Sequence, residues 1–388
     1  MKLIYLTFQE DAELYLGVIR KIKWQVRAFQ ELGYDVTHTL WKDECFIFYR
    51  GAETLSMPVT KGYRRMHRFS LAVLDYLSGH RFDVAYLRLD RISFDVIRIC
   101  RALKENGTRR ILIEIPNYPY LGDYLRSAKG VRPLTRQAVT LLKVFCTAAA
   151  DRFSGKKLRG CADAAVLVGD RSDCFFGLPA VNITNGVDVD EFSFVRHPGD
   201  SGEVVLVGVA GTLWWQAYDR VLEGMRIYRD RKKPEDPRVR FILAGGDPKE
   251  MPAFLEDVRK RGLQEDVECR GFLQGEELMR IYASADLGVS TLGCYRRGLT
   301  HCSSLKAREY CAAGLPFLYA YEDDAMEGNP PFALKLPNDP SPVDIGLAVE
   351  FALRCRSDPS ISEQEREFAR RNYDWKNILG RVFAFAGV

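Results

Sequence analysis

The sequence predicts an α/β protein of two doubly wound, Rossmann-like domains in tandem, and three observations predict it. Short apolar runs alternate with stretches of helical period, the pattern of a parallel sheet covered on both faces. The alternation breaks at "FVRHPGDSGE", rich in Pro, Gly and charge, and then restarts. At 388 residues, with 47% apolar and 28% charged side chains, the chain can fill two ordinary globular cores. The pattern sets the boundaries at 1–195 and 196–372. A helical end, 373–388, is expected to pack back towards the first domain.

The elements follow in order. "KLIYLTF" reads as a buried strand rather than a secretory leader, because no long apolar stretch follows a charged start. "VIRKIKWQVRAFQELG" is helical, with Ile19, Ile22, Val26 and Phe29 recurring at three- and four-residue steps. "YDVTHTLW" is a strand, "HRFSLAVLDYLSG" a helix, "DVAYLRL" a strand, "SFDVIRICRALKENG" a helix and "RRILIEIP" a strand. "CADAAVLVGD" and "PAVNITNGVD" add two more strands. After the break come "EVVLVGVAG" and "VRFILAGGD", with the helix "AYDRVLEGMRIYRD" between them. The helix "EMPAFLEDVRKRGL", the strand "VECRGFL", the helix "GEELMRIYASA" and the strand "DLGVSTLG" come next. "SSLKAREYCAAG" is a helix, "LPFLYA" a strand, and "SEQEREFARRNYDWKNILGRVFAFA" reads as closing amphipathic helices.

The net charge of +4 hides an asymmetry. From Lys61 to Arg159 there are 21 Lys/Arg against 8 Asp/Glu, with aromatics interleaved, as in "KGYRRMHRF". Such a segment is either solvated helix surface or a face for anionic phosphates or an acidic membrane. Ten cysteines include no C-x-x-C pair, and Cys146 and Cys311, inside apolar helical patterns, read as small buried hydrophobes of a reducing compartment. No apolar run has the length of about 18 residues needed to span a bilayer, so the expected location is cytoplasmic, with room for peripheral attachment at the inner face of a membrane. His38, His67 and His80 lack metal-ligand spacing, and no metal is expected. A nicotinamide dehydrogenase is excluded by the want of G-x-G-x-x-G after a strand, and nucleic acid by the want of a groove-reading motif.

Ligands of doubly wound sheets sit outside the carboxyl ends of the strands. At those ends the second domain offers Gly208, Gly211 and Thr212, whose backbone suits an approaching anion. It also offers Arg296 and Arg297 in "STLGCYRRGLTHCSS", and the stretch "SSLKAREYCAAGLPFLYA". There Ser303 or Ser304 suits the N-cap of a helix opening at Leu305, with Gly314 as its stop. Lys306 and Glu309 share a helical face. They read either as a surface ion pair or as an ammonium for phosphate and a carboxylate for sugar hydroxyls.

The order of these stretches carries a resemblance. "NITNGVDVDEF", "VGVAGTL", "FILAGGDP", "RGFLQGEELMRIYASADLGVST" and "SSLKAREYCAAGLPFLYA" together resemble retaining glycosyltransferases of the GT-B architecture, specifically glycosyltransferase family 4, over nearly the whole chain. "LKxREY…GxPF" with "EIPNYPY" looks like a branch making capsular or other surface polysaccharide. The resemblance implies two domains facing across a cleft. It also implies metal-independent transfer from a UDP- or GDP-sugar to a glycan or polyprenyl-linked acceptor, with retention. Glu309 then holds the ribose, Gly211 and Thr212 face the phosphates, and Phe272 runs along the base. Ser303, Ser304 and Leu305 bring a helix N-terminus to the donor. Gly17 matches a glycine loop near the reaction centre, and Glu114 and Tyr118 are expected to line the acceptor side.

Two departures matter. His301 stands where the family often has a glutamate contacting the donor sugar. The Arg and Lys that commonly follow the "VGVAG" loop are replaced by Thr212, Leu213, Trp214, Trp215 and Gln216. Lys306 with Arg296 or Arg297 is expected to take over the diphosphate, and His301 to polarise a donor hydroxyl. The alternatives are a non-catalytic partner subunit that binds nucleotide-sugar and an epimerase on the same architecture.

Overall fold

A computed structural model describes residues 1–12, 15–58, 65–121, 134–195, 202–246, 249–323, 325–326 and 328–388. Part of the expected connection (196–201), parts of the basic segment (61–64 and 122–133) and residues 247–248 of "FILAGGDP" lie outside them. The chain divides into two compact units, Met1–Thr184 with Trp375–Val388, and Asn185–Asp374.

The first unit runs β1 (Lys2–Thr7), α1 (Leu16–Glu31), β2 (Asp35–Lys42), β3 (Cys45–Arg50) and β4 (Glu53–Pro58). It continues through α2 (Arg65–Gly79), β5 (Val84–Arg88), α3 (Phe94–Glu105), β6 (Arg110–Tyr118) and α4 (Leu134–Gly155). It closes with β7 (Ala164–Gly169), β8 (Cys174–Phe175) and β9 (Leu178–Ile183). Among the described residues its sheet has the order β4-β3-β2-β1-β5-β6-β7-β9-β8. The stretch from β2 to β9 is parallel, and β3, β4 and β8 are antiparallel additions at the edges. Leu3, Ile4, Tyr5 and Leu6 of β1 are all fully buried, as a strand covered on both faces requires. The α1 stripe of Ile19, Ile22, Val26 and Phe29 faces the core as its period predicts. The last helix of the chain, Trp375–Ala386, packs on α1 with the rings of Phe383 and Phe29 stacked at 5.5 Å.

The second unit runs β10 (Glu203–Val209), α5 (Tyr218–Arg231), β11 (Arg238–Ala244), α6 (Met251–Lys260), β12 (Val267–Gly271) and α7 (Gly275–Ala283). Then come β13 (Leu287–Val289), α8 (Leu305–Ala313), β14 (Phe317–Tyr319), β15 (Ala333–Lys335), α9 (Ile345–Ser357) and α10 (Ser360–Asn372). The strand order β12-β11-β10-β13-β14-β15 is parallel throughout. The connections leave β10 towards β11 on one side and enter β13 on the other, so the order reverses between β10 and β13. That reversal fixes the crevice where such a sheet takes its ligand.

The hairpin β3–β4 was not anticipated, and one reading from sequence is corrected. Cys146, expected to be buried, is exposed on α4. No residue from 135 to 150 of that helix is buried, so an apolar helical run here does not mean core. Cys311 is buried as its pattern implied.

Candidate active site

The site of the second unit grows from the β10/β13 reversal. Past β10 the chain turns through Gly211 and Thr212 to Gln216, and past β13 it runs Ser290, Thr291 and Leu292. Arg220, 2% exposed, donates to the carbonyls of Leu292, Pro337 and Ser341 at 2.6, 2.9 and 2.7 Å and fixes the second of these loops. Helix α8 lies over the seam. The Tyr310 hydroxyl is 3.3 Å from the carbonyls of Val207 and Val289 and accepts the Val209 N–H at 3.3 Å. A Cβ at residue 288 would come within 2.5 Å of the Tyr310 ring, so only glycine lets that ring lie on the sheet. Gly208 serves packing in the same way: a Cβ there would meet Phe241 and Tyr218, which corrects its reading as a phosphate-loop glycine.

The start of α8 is tied down from below. Ser303 Oγ accepts the Asn185 N–H at 2.8 Å and a bond from Arg308 at 3.1 Å. Arg308 is fully buried, pairs with Asp323 and lies 4.1 Å over the Tyr373 ring. Ser304 occupies the N-cap position, but its side chain makes no capping bond. Its hydroxyl instead lies 3.5 Å from Thr291 Oγ1. The cap expected from sequence is therefore present in backbone only, and Leu305, partly exposed, is the first helical residue.

Lys306 is the centre of this arrangement. The residue is 9% exposed, and its ammonium donates to Gln216 Oε1 at 2.6 Å and the Tyr218 hydroxyl at 3.4 Å, both neutral. Burial lowers its pKa from 10.5 to about 7, against the opposing influence of Cys302, Cys294 and Glu309. Three residues on, Glu309 is partly exposed and accepts from the Tyr282 hydroxyl at 3.3 Å. Thr212 Oγ1 is buried and has no hydrogen-bond partner among the described residues. An unmatched hydroxyl and an ammonium held only by neutral groups stand at the reversal point of the sheet. Chemically, that place accepts an anion.

The remaining second-unit candidates divide. The guanidinium of Arg296 donates to Asp219 at 2.5 Å, the Trp214 carbonyl at 2.6 Å and the Tyr295 hydroxyl at 2.8 Å, so its bonds are committed to the loop. Arg297 is partly exposed and 5.9 Å over the Trp215 ring. His301 is exposed and forms a backbone bridge with Glu322. Phe272 is 67% exposed just past β12, two strands away from the Lys306 seam. Gln216, Tyr218, Tyr282 and Tyr310 were not anticipated. A glutamine and tyrosines at uninformative spacings give no sequence signal.

In the first unit Glu114, expected to line an acceptor site, is instead fully buried on β6. Its carboxylate accepts from Gln25 and Tyr86 at 2.8 Å, Arg88 at 3.2 Å and Lys21 at 3.4 Å. Burial pushes its pKa up, but Lys21 and Arg88 outweigh that and hold it below the ordinary value. This is a saturated structural network. Tyr118, at the end of β6, is partly buried with its ring edge-on to Phe175 at 5.9 Å. Gly17 is exposed in the first turn of α1, where a Cβ would meet nothing within 4 Å.

No protein-family model and no curated protein matches the sequence. Solved structures match over its whole length. One is sucrose-phosphate synthase from Thermosynechococcus elongatus, with a TM-score of 0.63, 15% identity and 100% of each chain covered. Another is the Anabaena protein HepE in complex with UDP, with a TM-score of 0.59, 13% identity and 100% of each chain covered. A third is the catalytic domain of starch synthase IV from Arabidopsis thaliana bound to ADP and acarbose. Its TM-score is 0.62 at 12% identity, covering 100% of this chain and 99% of that one. At these identities the likeness speaks for the fold: the chain has the GT-B architecture of two Rossmann-like domains.

Proposed function

We propose that this protein is a retaining glycosyltransferase of the family 4 type. It takes a sugar from a UDP- or GDP-sugar and passes it to a glycan or polyprenyl-linked acceptor in surface polysaccharide synthesis. The observation that carries this reading is Lys306, a buried ammonium with neutral partners at the ligand crevice of a parallel sheet. HepE was solved with UDP and starch synthase IV with ADP, which makes a nucleoside diphosphate the natural anion to place there.

In this reading Lys306 and Arg297 meet the diphosphate, aided by the N-terminal amides of α8 and by Thr212. Glu309, steadied by Tyr282, receives the ribose hydroxyls, and Phe272 runs along the base. Arg296 shapes the Trp214 loop and does not reach the phosphates. As the anomeric C–O bond breaks, negative charge grows on the diphosphate and Lys306 lowers the energy of that charge. The acceptor hydroxyl adds on the face the diphosphate leaves, giving its proton to the departing phosphate and keeping the configuration. His301 polarises a donor hydroxyl. The protein cations take the part a metal plays elsewhere, so chelators are expected to leave the rate unchanged.

Helix α4 supports a membrane-borne acceptor. Val139, Leu142, Phe145 and Phe153 are each more than half exposed on it. Arg136, Lys143, Arg152, Lys156, Lys157 and Arg159 flank them, against Asp151 alone, which is paired with Arg91. Apolar side chains among cations suit an anionic bilayer, and no helix among the described residues is long and apolar enough to cross one. Flotation with anionic vesicles is expected to carry the protein at low salt and release it at high salt. Failure to float at low salt removes the membrane role.

The test of function is incubation with radiolabelled UDP- and GDP-sugars and polyprenyl-diphosphate sugars, with the anomeric configuration of the product read by NMR. Transfer with retention is the expected result. Saturable binding without turnover would make the chain a nucleotide-sugar-binding partner, and a new nucleotide-sugar formed without acceptor would make it an epimerase.

A further inference from the structure

One aromatic side chain on the loop past β10 has no part in the chemistry so far. Of the five tryptophans, Trp24, Trp41 and Trp375 are at most 4% exposed, Trp215 is partly buried, and Trp214 is 52% exposed. Its exposure is not that of a loose loop. The Gln216 N–H closes a turn onto the Leu213 carbonyl at 2.8 Å, and the Gln216 carbonyl accepts the Leu292 N–H at 3.3 Å. Arg296 donates to the Trp214 carbonyl at 2.6 Å while it pairs with Asp219. A Cβ at residue 293 would come within 2.6 Å of the Trp215 carbonyl, so the chain past β13 lies directly against this turn. Ala217, 1% exposed, follows in the left-handed region at φ 55°, a conformation that an alanine takes only where packing imposes it. The Trp214 ring meets Trp215 edge-on, with centroids 5.7 Å apart and planes at 84°. Among the described residues no other ring and no cation lies over it, and its indole N–H has no hydrogen-bond partner.

We propose that Trp214 is the platform on which the sugar ring of the donor stacks, a role that rests on the donor reading and makes this residue a determinant of which nucleotide-sugar is used. Two residues of the same loop put an anion beside the ring. Thr212, two positions before, has a buried hydroxyl unmatched among the described residues, and Gln216, two positions after, receives the Lys306 ammonium. Two residues of chain span at most about 7 Å, so the backbone of Trp214 is within one small group of both. The strand order sets the side. Trp214 is tied to the loop past β13, whereas Phe272, assigned to the base, follows β12 at the edge of the sheet. A diphosphate at the β10/β13 seam then has its base on one side and its sugar on the other, and the loop that holds Trp214 also carries His301. A pyranose has a face of C–H bonds and a rim of hydroxyls. The C–H face packs on the electron-rich face of an indole, and a rim hydroxyl accepts the indole N–H. A ring already held on a rigid turn loses little freedom when a ligand covers it.

The experiment titrates the full chain by calorimetry with UDP, UDP-glucose, UDP-galactose, UDP-N-acetylglucosamine, GDP and GDP-mannose, with tryptophan emission read in parallel. For at least one nucleotide-sugar, the wild-type chain is expected to bind more tightly than it binds the matching diphosphate. That sugar should also change the emission in a way the diphosphate alone does not. Trp214→Ala should weaken this nucleotide-sugar by about three- to tenfold and leave the diphosphate within about twofold, which erases the advantage of the sugar. W214F should keep most of the affinity and lose the emission change, a separation that a merely structural role does not produce. Equal weakening of diphosphate and nucleotide-sugar in W214A would put the base on this ring and overturn the proposal. Unchanged binding of both, with a raised acceptor KM in transfer, would give the ring to the acceptor and overturn it as well. So would a wild-type chain that binds the diphosphate but gains nothing from any sugar. Failure of the wild-type chain to bind either UDP or GDP refutes the donor reading itself, and the platform with it. If W214A does not fold, the wild-type contrast and W214F decide the question.

Discussion

Replacing Lys306 by methionine should move stability and ligand affinity in opposite directions. The ammonium is buried, and its pKa falls from 10.5 to about 7. At pH 7.5 a drop of that size places a ceiling of about 4 kcal/mol on what the lysine withholds from stability. Methionine fills a similar volume but leaves Gln216 Oε1 without its 2.6 Å donor, an offset of about 1–3 kcal/mol. The net gain is at most about 1–3 kcal/mol, or roughly 2–12 °C in Tm for a unit of this size. Affinity for UDP should fall, because a desolvated cation–anion contact is lost, by about 2–4 kcal/mol or roughly 30- to 1000-fold. The pH dependence follows with its sign. Between about 7 and 10.5 the unfolded lysine holds a proton that the folded one has lost, so wild-type stability rises with pH across that window and K306M lacks the rise. UDP needs the ammonium, so wild-type affinity weakens above about pH 7, by up to about tenfold per unit, while that of K306M stays flat. Calorimetric titration with UDP and melts of both proteins across pH read all of this. A less stable K306M whose UDP affinity lies within a factor of about two of wild type would refute the assignment.

Three further substitutions are informative. Glu309→Gln should weaken UDP about tenfold, by loss of a charged acceptor for the ribose, with little change in Tm; an unchanged Kd by titration removes the ribose role. Glu365, fully buried on α10 with neither carboxyl oxygen bonded to a nitrogen or oxygen, has its pKa raised well above the ordinary value by burial. As pH rises past the unfolded carboxylate pKa of about 4.3, the unfolded state ionises and the folded one does not. E365Q should therefore melt higher than wild type near pH 8 and converge with it near pH 4, and parallel curves would contradict this. Glu114→Ala leaves Lys21 and Arg88 buried without their shared acceptor and should destabilise the first unit by about 3–5 kcal/mol. Urea melts should show that loss with the UDP affinity intact.

What the sequence shows of this molecule follows from how each feature is written in it. The parallel strands were legible because apolar runs such as "KLIYLTF" and "VVLVGV" have no other use than burial on two faces. The α1 stripe was legible through its period, and the ligand crevice through the rule that ties ligands to strand ends. The helical pattern around Cys146 was legible, but the exposure of α4 defeats the inference from apolar to buried. The hairpin β3–β4 was missed because an edge pair adds little to the alternation of strands and helices. Glu114 was misplaced for a different reason. A carboxylate near a strand end looks the same in sequence whether it faces solvent or a buried ring of donors. Its partners Lys21 and Gln25 come from α1 and Tyr86 and Arg88 from β5, which only the fold brings to β6.

The two buried charged clusters differ in a way that separates support from function. Around Glu114 both cations share a carboxylate: Lys21 and Arg88, with two neutral donors, close on it. A cluster of that kind has little to gain from a ligand, since any anion would compete with a carboxylate already in place. Around Lys306 the pairing is incomplete. The ammonium touches an amide oxygen and a phenol, and the Thr212 hydroxyl past β10 is unmatched among the described residues. A fold keeps a buried lysine in that condition at a stability deficit of kilocalories, and an anion entering the crevice recovers it.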